Sequence, residues 1–166
     1  MRLRNLDVKD APLMLEWMHD GGVVENLHTD FATKTLGDCL HFIEEAQDMK
    51  DSIHMAIVDS NDEYMGTVSL KHITGNAAEF AIAVRKSAMG RGFSKFAMTE
   101  MIHIGLKEKG LERIYWCVSP KNTRALRFYD KNGYGRIMLK DRKIEGYNVD
   151  EAGYYVWYEV LRKHLI

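Results

Sequence analysis

The sequence is poor in cysteine, in proline and in long apolar runs. Its two cysteines, Cys39 and Cys117, are far apart and in neither a CxxC nor a CxxxxC spacing, which argues against a disulfide framework and a cysteine-rich zinc site. With two prolines and no Ser/Gly-rich tract, no linker is expected, and residues 1–166 are predicted to form one domain. No apolar stretch reaches 18 residues, and the first ten residues are rich in charge, so neither a membrane span nor a signal peptide is expected.

An excess of charge of either sign is also missing. Lysine and arginine number 23 against 24 acidic residues, and the pI is near 6.7, which gives no electrostatic basis for binding nucleic acid or an anionic membrane. The seven histidines show no HxH or HExxH spacing, so no metal site is expected. Together these absences favour a compact cytoplasmic domain.

What the sequence does contain is a pattern of short strands and helices. The predicted strands are residues 1–6, 53–59, 64–70, 78–84, 113–118, about 134–143 and about 153–161. Helices are predicted from Asp10, over about residues 36–49, from Phe93 to about Gly110, and over residues 123–131. Short polar turns join the strands at 53–84, which favours antiparallel pairing, whereas strand, long helix and strand around Phe93 form a βαβ crossover. The prediction is an α+β fold with a mixed, mostly antiparallel seven-stranded sheet and about four helices.

A glycine-rich turn, Met89-Gly90-Arg91-Gly92-Phe93-Ser94, stands where a predicted strand gives way to the long helix. Unpaired N–H groups at a helix N-terminus suit a phosphate, glycines allow close approach of the backbone, and Arg91 and Lys95 add positive charge. An ordinary flexible turn would show the same residues. The turn is neither a dinucleotide fingerprint, since Lys95 stands where the third glycine would be, nor a Walker A loop.

A second motif follows about thirty residues later, with the pattern N-x-x-A-x-x-F-Y-x-x-x-G-Y. It begins at Asn122 and includes Ala125, Phe128 and Tyr129 on one face of a short helix. Core packing is the simpler explanation for such a face when it is considered alone.

The two motifs in this order, with the preceding strands, resemble the GNAT superfamily of N-acetyltransferases over nearly the whole chain. The family loop reads Gln/Arg-x-x-Gly-x-Gly/Ala, from which this sequence departs at Met89 and Ser94. The resemblance implies a GNAT-like acyl-CoA N-acyltransferase fold with acetyl-CoA as co-substrate. It also implies that two strands separate and that the pantetheine arm pairs with the strand around Ile82–Val84. Pyrophosphate would bind the amides of Met89, Gly90, Arg91, Gly92, Phe93, Ser94 and Lys95, and Asn122 would contact the cofactor from the other side.

The same resemblance implies acyl transfer from a thioester to an amine. An ammonium group must lose a proton before it attacks, and the leaving thiolate must gain one. We expect Tyr129 to be the general acid and a backbone N–H around Val84 to stabilise the oxyanion. Glu79 is the candidate base, with a solvent-facing strand residue as the equal alternative, and His72 is a further candidate. Peptide-amine members often have a glutamate where Cys117 stands, and an acyl-cysteine mechanism is not expected because no histidine is suitably spaced.

The resemblance places acceptor selection in two segments, about residues 21–35 and 141–153. Their candidate residues are Glu25, His28, Asp30, Arg142, Glu145, Tyr147 and Asp150. The carboxylates favour a cationic, amine-bearing acceptor, although solvated loop charges would look the same. We expect a small primary amine, such as a polyamine or an amino sugar, and a monomer or homodimer. The alternatives are a non-catalytic acyl-CoA sensor and a protein N-terminal acetyltransferase.

Overall fold

Seven strands form one mixed sheet in the computed structural model, which describes residues 1–139, 144 and 146–164. The strands are β1 (Arg2–Asn5), β2 (Ile53–Val58), β3 (Tyr64–Thr74), β4 (Ala77–Val84), β5 (Arg113–Val118), β6 (Gly135–Ile137) and β7 (Val156–Leu161). Their order is β1-β2-β3-β4-β5-β7-β6, and β4–β5 is the parallel pair while the other pairs are antiparallel. The predicted α+β sheet and its central crossover are confirmed.

Six α-helices accompany the sheet within the described residues, two more than expected. They are α1 (Ala11–Met18), α2 (Gly21–Val24), α3 (Leu36–Ala46), α4 (Phe93–His103), α5 (Thr123–Lys131) and α6 (Val149–Tyr154). The Asp20 side chain caps α2 by accepting from the Gly22 amide, so this glycine pair begins a helix after α1 has ended. The π-helical turn Ile104–Glu108 extends α4 towards Gly110, whose φ is +70°.

Several predicted boundaries are wrong. The strand expected at 153–161 begins only at Val156, because Asn148 and Glu151 form a capping box that makes the preceding residues helical. Pairing with β4 carries β3 beyond Leu70 to Thr74. The helix expected over 36–49 ends at Ala46. The strand expected at 134–143 is Gly135–Ile137, and residues 140–143 lie outside the described part of the chain.

The sheet separates the two larger hydrophobic clusters of the described residues. On one face α4 buries Met98 and Met101 against Leu70 and Ile114. On the other face α1 and α3 bury Trp17, Met14 and Ile43 against the β2 and β3 residues Ala56, Val58 and Tyr64. Both faces are covered near the middle of the sheet, so a ligand can enter only where strands separate or where the covering helices leave a gap.

The sheet opens between β4 and β5. These strands pair only from Ala77 to Glu79, opposite residues 113–115, whereas β5 stays paired with β7 as far as Val118. The last register pair before the opening is Glu79 and Tyr115.

Buried Arg85 fixes the far end of β4. Its guanidinium donates to both oxygens of Glu16 on α1, to Glu63, and to the Tyr64 carbonyl. The Arg85 side chain thus connects the segment that leads into the glycine-rich turn with α1 and with the start of β3.

Candidate active site

A cavity of about 1010 Å³ lies where β4 and β5 separate. Its walls include β4 and the N-terminal ends of α4 and α5, together with α1, the segment between α2 and α3, Tyr147 and Tyr155. The cavity is therefore continuous from the glycine-rich turn to both segments in which the sequence predicts the acceptor site. Its size is at the upper end of small-molecule sites.

The free edge of β4 presents backbone hydrogen-bonding groups to this cavity. The Arg85 N–H donates to the Met65 carbonyl over 2.9 Å. In an antiparallel ladder, the backbone N–H and C=O groups of the odd-numbered residues of β4 are therefore the ones that bond to β3. The backbone groups of Phe80, Ile82 and Val84 therefore point into the opening, where pairing with β5 has ended. An extended ligand can pair with this edge as an added strand, which is the contact predicted for Ile82 and Val84.

The glycine-rich turn leaves amides unpaired at the start of α4. Gly90 and Gly92 have φ of +76° and +87°, in the left-handed region that favours glycine. Gly92 is the N-cap, and no side chain caps the helix, so the first-turn N–H groups remain for a ligand. The turn residues that line the cavity are Met89, Gly90, Gly92, Ser94 and Lys95. The turn therefore fits a diphosphate group.

Two of the predicted turn residues direct their side chains elsewhere. Arg91 donates to the Ser87 carbonyl over 3.2 Å and lies 5.2 Å from the centre of the Phe93 ring, which is buried in the core. Neither residue is among those that line the cavity. The Arg91 amide already donates to the Ala88 carbonyl over 3.4 Å, and the Met89 amide donates to the Lys86 carbonyl over 3.2 Å. Of the predicted amides these two are therefore already paired, and Phe93 can contribute only its backbone N–H. Positive charge around the turn comes instead from Lys95, Lys121 and Arg124.

The second motif places α5 across the opening from this turn. Asn122 caps α5, its Oδ1 accepting from the Ala125 amide over 3.1 Å, and it also lines the cavity. Its side-chain NH₂ group is the part that can donate to a ligand. Arg124 contacts Met89, so one of the two residues that depart from the loop pattern is held by α5. Sequence reasoning missed Arg124, although its place in the first turn of the motif helix was a usable signal.

Tyr129 combines the two interpretations that the sequence left open. Its ring is buried against Trp116 and Tyr158, with ring centres 5.2 Å away in each case, so it is a core residue. The residue also lines the cavity, and no group in the described part of the chain hydrogen-bonds its hydroxyl. Burial raises the pKa of this phenol above its ordinary value, so the hydroxyl stays protonated at neutral pH.

Glu79 is not a solvent-facing residue, because it is only 3% exposed. Its Oε1 accepts from the Tyr147 hydroxyl over 2.8 Å, and its Oε2 lies 3.0 Å from His72 Nδ1 and 3.9 Å from Lys71 Nζ. His72 has φ of +49°, at an irregularity in the β3–β4 pairing. The two candidate bases are thus in direct contact. The carboxylate of Glu79 is buried, and the imidazole of His72 is half-exposed to solvent.

Cys117 belongs to the same group of side chains. Its sulfur lies 3.5 Å from the Tyr147 hydroxyl, and burial, as the largest effect, raises the pKa of its thiol to about 11. Burial is also the main cause that raises the pKa of Tyr147. A neutral thiol is a poor nucleophile, which agrees with the expectation that no acyl-cysteine forms here.

The two predicted acceptor segments meet at aromatic residues. His28 Nδ1 lies 2.8 Å from the Tyr155 hydroxyl, and the His28 and Tyr147 ring centres are 5.0 Å apart. Sequence reasoning missed Tyr155, which the pattern assigned to a strand.

The predicted carboxylates of those two segments differ in whether they face the cavity. Glu25 is exposed and lines the cavity. Asp30 accepts from the Ala32 amide within its loop, and Asp150 lies in the first turn of α6. Arg142 and Glu145 lie outside the described residues. Among the described residues that line the cavity, the buried carboxylate is that of Glu79 on β4.

The described residues contain neither a metal-binding cluster nor a membrane-spanning helix. No group of three or more His, Cys, Asp or Glu side chains among them is arranged to hold a metal ion. In the same residues no helix has the length and apolar character needed to cross a bilayer.

Comparison with known proteins identifies relatives that match most of the chain. The family model described as the acetyltransferase (GNAT) domain matches residues 1–135. A curated relative from Bacillus licheniformis, the uncharacterized N-acetyltransferase p20, is 26% identical over 160 residues, which cover 90% of this chain and 88% of that protein.

Solved structures share the fold at low sequence identity. A spermidine N-acetyltransferase from Vibrio cholerae, in complex with CoA and spermine, has a TM-score of 0.78 and 17% identity, covering 98% of this chain and 95% of that one. A GNAT-family acetyltransferase from Bacillus anthracis has a TM-score of 0.76 and 20% identity, covering 97% and 94%. At these identities the two structures establish the fold and leave the acceptor open.

Proposed function

Because the chain belongs to the GNAT acetyltransferase family and is an N-acetyltransferase, we propose that it acetylates the primary amine of a small molecule. Acetyl-CoA and the amine would bind together, and the amine would attack the thioester directly. One observation carries this proposal. A single cavity joins an uncapped helix N-terminus with nearby cations to a buried carboxylate, at the point where the sheet opens.

The residues at one end of the cavity fit acetyl-CoA. The unpaired first-turn amides of α4, with Lys95 and Arg124 nearby, suit the pyrophosphate. The backbone of Ile82 and Val84 suits the amide groups of the pantetheine arm. A structural neighbour has been solved in complex with CoA, which supports the same use of the fold here.

The residues at the other end fit an amine. An acceptor ammonium, with an ordinary pKa near 10.4, would be held by the Glu79 carboxylate and would lose its proton to that group, directly or through water. His72 touches Glu79 and is half-exposed, so it offers a path for this proton to solvent. The neutral amine then forms the C–N bond with the thioester carbon.

The remaining steps need a donor to the oxyanion and an acid for the leaving thiolate. The backbone N–H of Val84, which points into the opening, is suited to the oxyanion. Tyr129 packs against Trp116, the first residue of β5 beyond the Glu79–Tyr115 pair, and keeps its proton. When the tetrahedral intermediate breaks its C–S bond, the Tyr129 hydroxyl would protonate the thiolate of CoA. The second proton, which the attacking nitrogen must lose to become an amide, would return to Tyr129 directly or through water.

The aromatic contacts favour a small acceptor over a protein N-terminus. The contact between His28 and Tyr155 connects the segment that follows α2 to the residue between α6 and β7. Such a bridge leaves more room for a compact amine than for an extended polypeptide.

The test is release of free CoA from acetyl-CoA with a panel of small amines and of peptides, with products identified by mass spectrometry. We expect turnover with at least one small amine and transfer of one acetyl group to its nitrogen. Acetyl-CoA binding without turnover would instead identify a sensor. Turnover confined to peptides would identify a protein N-terminal acetyltransferase.

A further inference from the structure

Part of the cavity wall is polar where a hydrophobic core would be expected. Thr67, Ser69 and Lys71 alternate along β3, and His54 stands opposite Ser69 on β2. All four line the cavity below α1 and α3, and we call them the polar strip. Strand register places Glu79 opposite Lys71, so the strip starts beside the buried carboxylate and leads away from it.

We propose that the polar strip binds hydroxyl groups of the acceptor, which makes the acceptor a hydroxyl-bearing amine, such as an amino sugar. This inference rests on the proposed function, since it concerns the part of the amine that does not react.

The Ser69–His54 pair matches the hydrogen-bonding capacity of a hydroxyl. His54 Nδ1 lies 2.7 Å from Ser69 Oγ, and burial together with Lys71 lowers the pKa of His54 to about 4, so the imidazole is neutral. If Ser69 donates to Nδ1, then Nε2–H is a donor and Oγ an acceptor for a ligand. If Nδ1–H donates to Ser69, the roles are reversed. Either tautomer offers one donor and one acceptor, whereas an ammonium group can only donate.

Thr67 is held as a donor by a buried chain of hydrogen bonds. Trp17 Nε1 can only donate, and it donates to the Tyr64 hydroxyl over 2.9 Å. The fully buried Tyr64 lies 2.7 Å from Thr67 Oγ1, the one remaining acceptor for its proton among the described residues. Tyr64 therefore donates to Thr67, and the Thr67 proton is left for a ligand, because the opposite arrangement would leave a buried phenolic proton without a partner.

Distance and space suit a sugar ring. Ser69 is two residues from Lys71, or about 7 Å along the strand at the usual rise. On β4 the residues opposite Ser69 and Thr67 are Ala81 and Ala83, whose small side chains leave the strip open. A pyranose whose amine contacts Glu79 can therefore place a ring hydroxyl near Ser69 and His54.

The positive charge of Lys71 disfavours a polyamine that extends along the polar strip. The Lys71 ammonium lies 3.9 Å from Glu79, so the second ammonium of a polyamine directed along the strip would meet a like charge. The lining carboxylate of Asp38 is already bonded to the Thr35 amide and hydroxyl. Hydroxyl groups meet no such repulsion.

The experiment compares amines that differ in hydroxyl content. Initial rates of CoA release at saturating acetyl-CoA are measured with glucosamine, galactosamine, mannosamine, cyclohexylamine and spermidine. Cyclohexylamine is a six-membered ring without hydroxyls. We expect the best amino sugar to exceed both cyclohexylamine and spermidine in kcat/KM by about 10²-fold or more, since a polar wall left unpaired penalises an analogue that lacks the hydroxyl.

Two variants locate the effect. Ser69→Ala and Thr67→Val should each lower the ratio of kcat/KM for the best amino sugar to that for cyclohexylamine by about tenfold, mainly through KM. Ser60→Ala, in an exposed turn, is the matched control and should leave this ratio as it is. Thermal unfolding verifies that each variant folds. If Thr67→Val does not fold, the result for Ser69→Ala alone decides the test.

Equal or better turnover of spermidine or cyclohexylamine would overturn this inference and leave the proposed function standing. An unchanged ratio in the folded variants would overturn it as well. Absence of turnover with every small amine would overturn the proposed function and this inference together.

Discussion

The Tyr147 hydroxyl donates to Glu79 Oε1 over 2.8 Å, joining residues 68 positions apart where β4 and β5 separate. His72 contacts the other carboxylate oxygen, so the orientation of Glu79 is fixed from two sides. A carboxylate held in this way is ready to bind an ammonium group without reorganisation.

Replacing Glu79 by Gln keeps the shape of the side chain and removes its capacity to take a proton. We expect kcat to fall by about 10²- to 10⁴-fold, the usual contribution of a general base, with the KM for acetyl-CoA little changed. Steady-state kinetics at saturating amine provide the measurement. Glu100→Gln on the exposed face of α4 is the control. A loss below about threefold would show that water or another group accepts the proton.

Replacing Tyr129 by Phe keeps the buried ring and removes the hydroxyl, which has no partner among the described residues. We therefore expect normal stability and a normal Kd for acetyl-CoA, but a kcat lower by about 10²- to 10⁴-fold. Tyr134→Phe removes a hydroxyl from the same ring cluster and should leave kcat near its original value. Equal rates in the Tyr129 variant and the original enzyme would contradict its role as general acid.

Replacing Gly92 by Asp adds a side chain at φ of +87° and a negative charge at the start of α4. Both effects oppose an anion there, so we expect affinity for acetyl-CoA to fall by about tenfold or more. Isothermal titration calorimetry measures the change. Gly75→Asp is a matched control, because Gly75 also has a positive φ but lies in the turn between β3 and β4. Equal affinity in both variants would mean that the pyrophosphate binds elsewhere.

Acid should destabilise the protein partly through His54. Its pKa is about 4 in the folded state, against 6.5 ordinarily, because of burial and the nearby Lys71, with Asp51 opposing. Below pH 6.5 His54 binds a proton in the unfolded chain but stays neutral in the folded chain. The free energy of unfolding therefore falls as the pH drops from 6.5 to about 4. Urea unfolding of His54→Asn across this range should show a shallower slope. His41→Asn, at an exposed site on α3, is the comparison variant.

Much of the fold could be predicted because its signals are local. The change from alternating strand residues to a helical period occurs at Gly90–Gly92, which predicts the position of the crossover and of the glycine-rich turn. The helix α6 could not be found in this way. Its capping box, Asn148 with Glu151, precedes a run of strong strand formers from Tyr154 to Trp157 that dominates the local pattern.

The site was predictable where a motif carries it and less so elsewhere. Tyr129 and Asn122 lie in a contiguous pattern, and both line the cavity. The contact of Tyr147 with Glu79 depends on how a distant segment packs against the sheet, which no local pattern specifies. The polar strip did leave a signal, since Thr67, Ser69 and Lys71 recur at the two-residue period of a strand whose other face is apolar.

The most direct measurement is simultaneous quantification of CoA release and N-acetylated product, with acetyl-CoA and the amine panel, for the original enzyme and for Tyr129→Phe. We expect one equivalent of acetylated small amine per CoA released, and a rate in the variant lower by about 10²-fold or more. Acetyl-CoA binding with no acetylated small amine formed would contradict the proposed function.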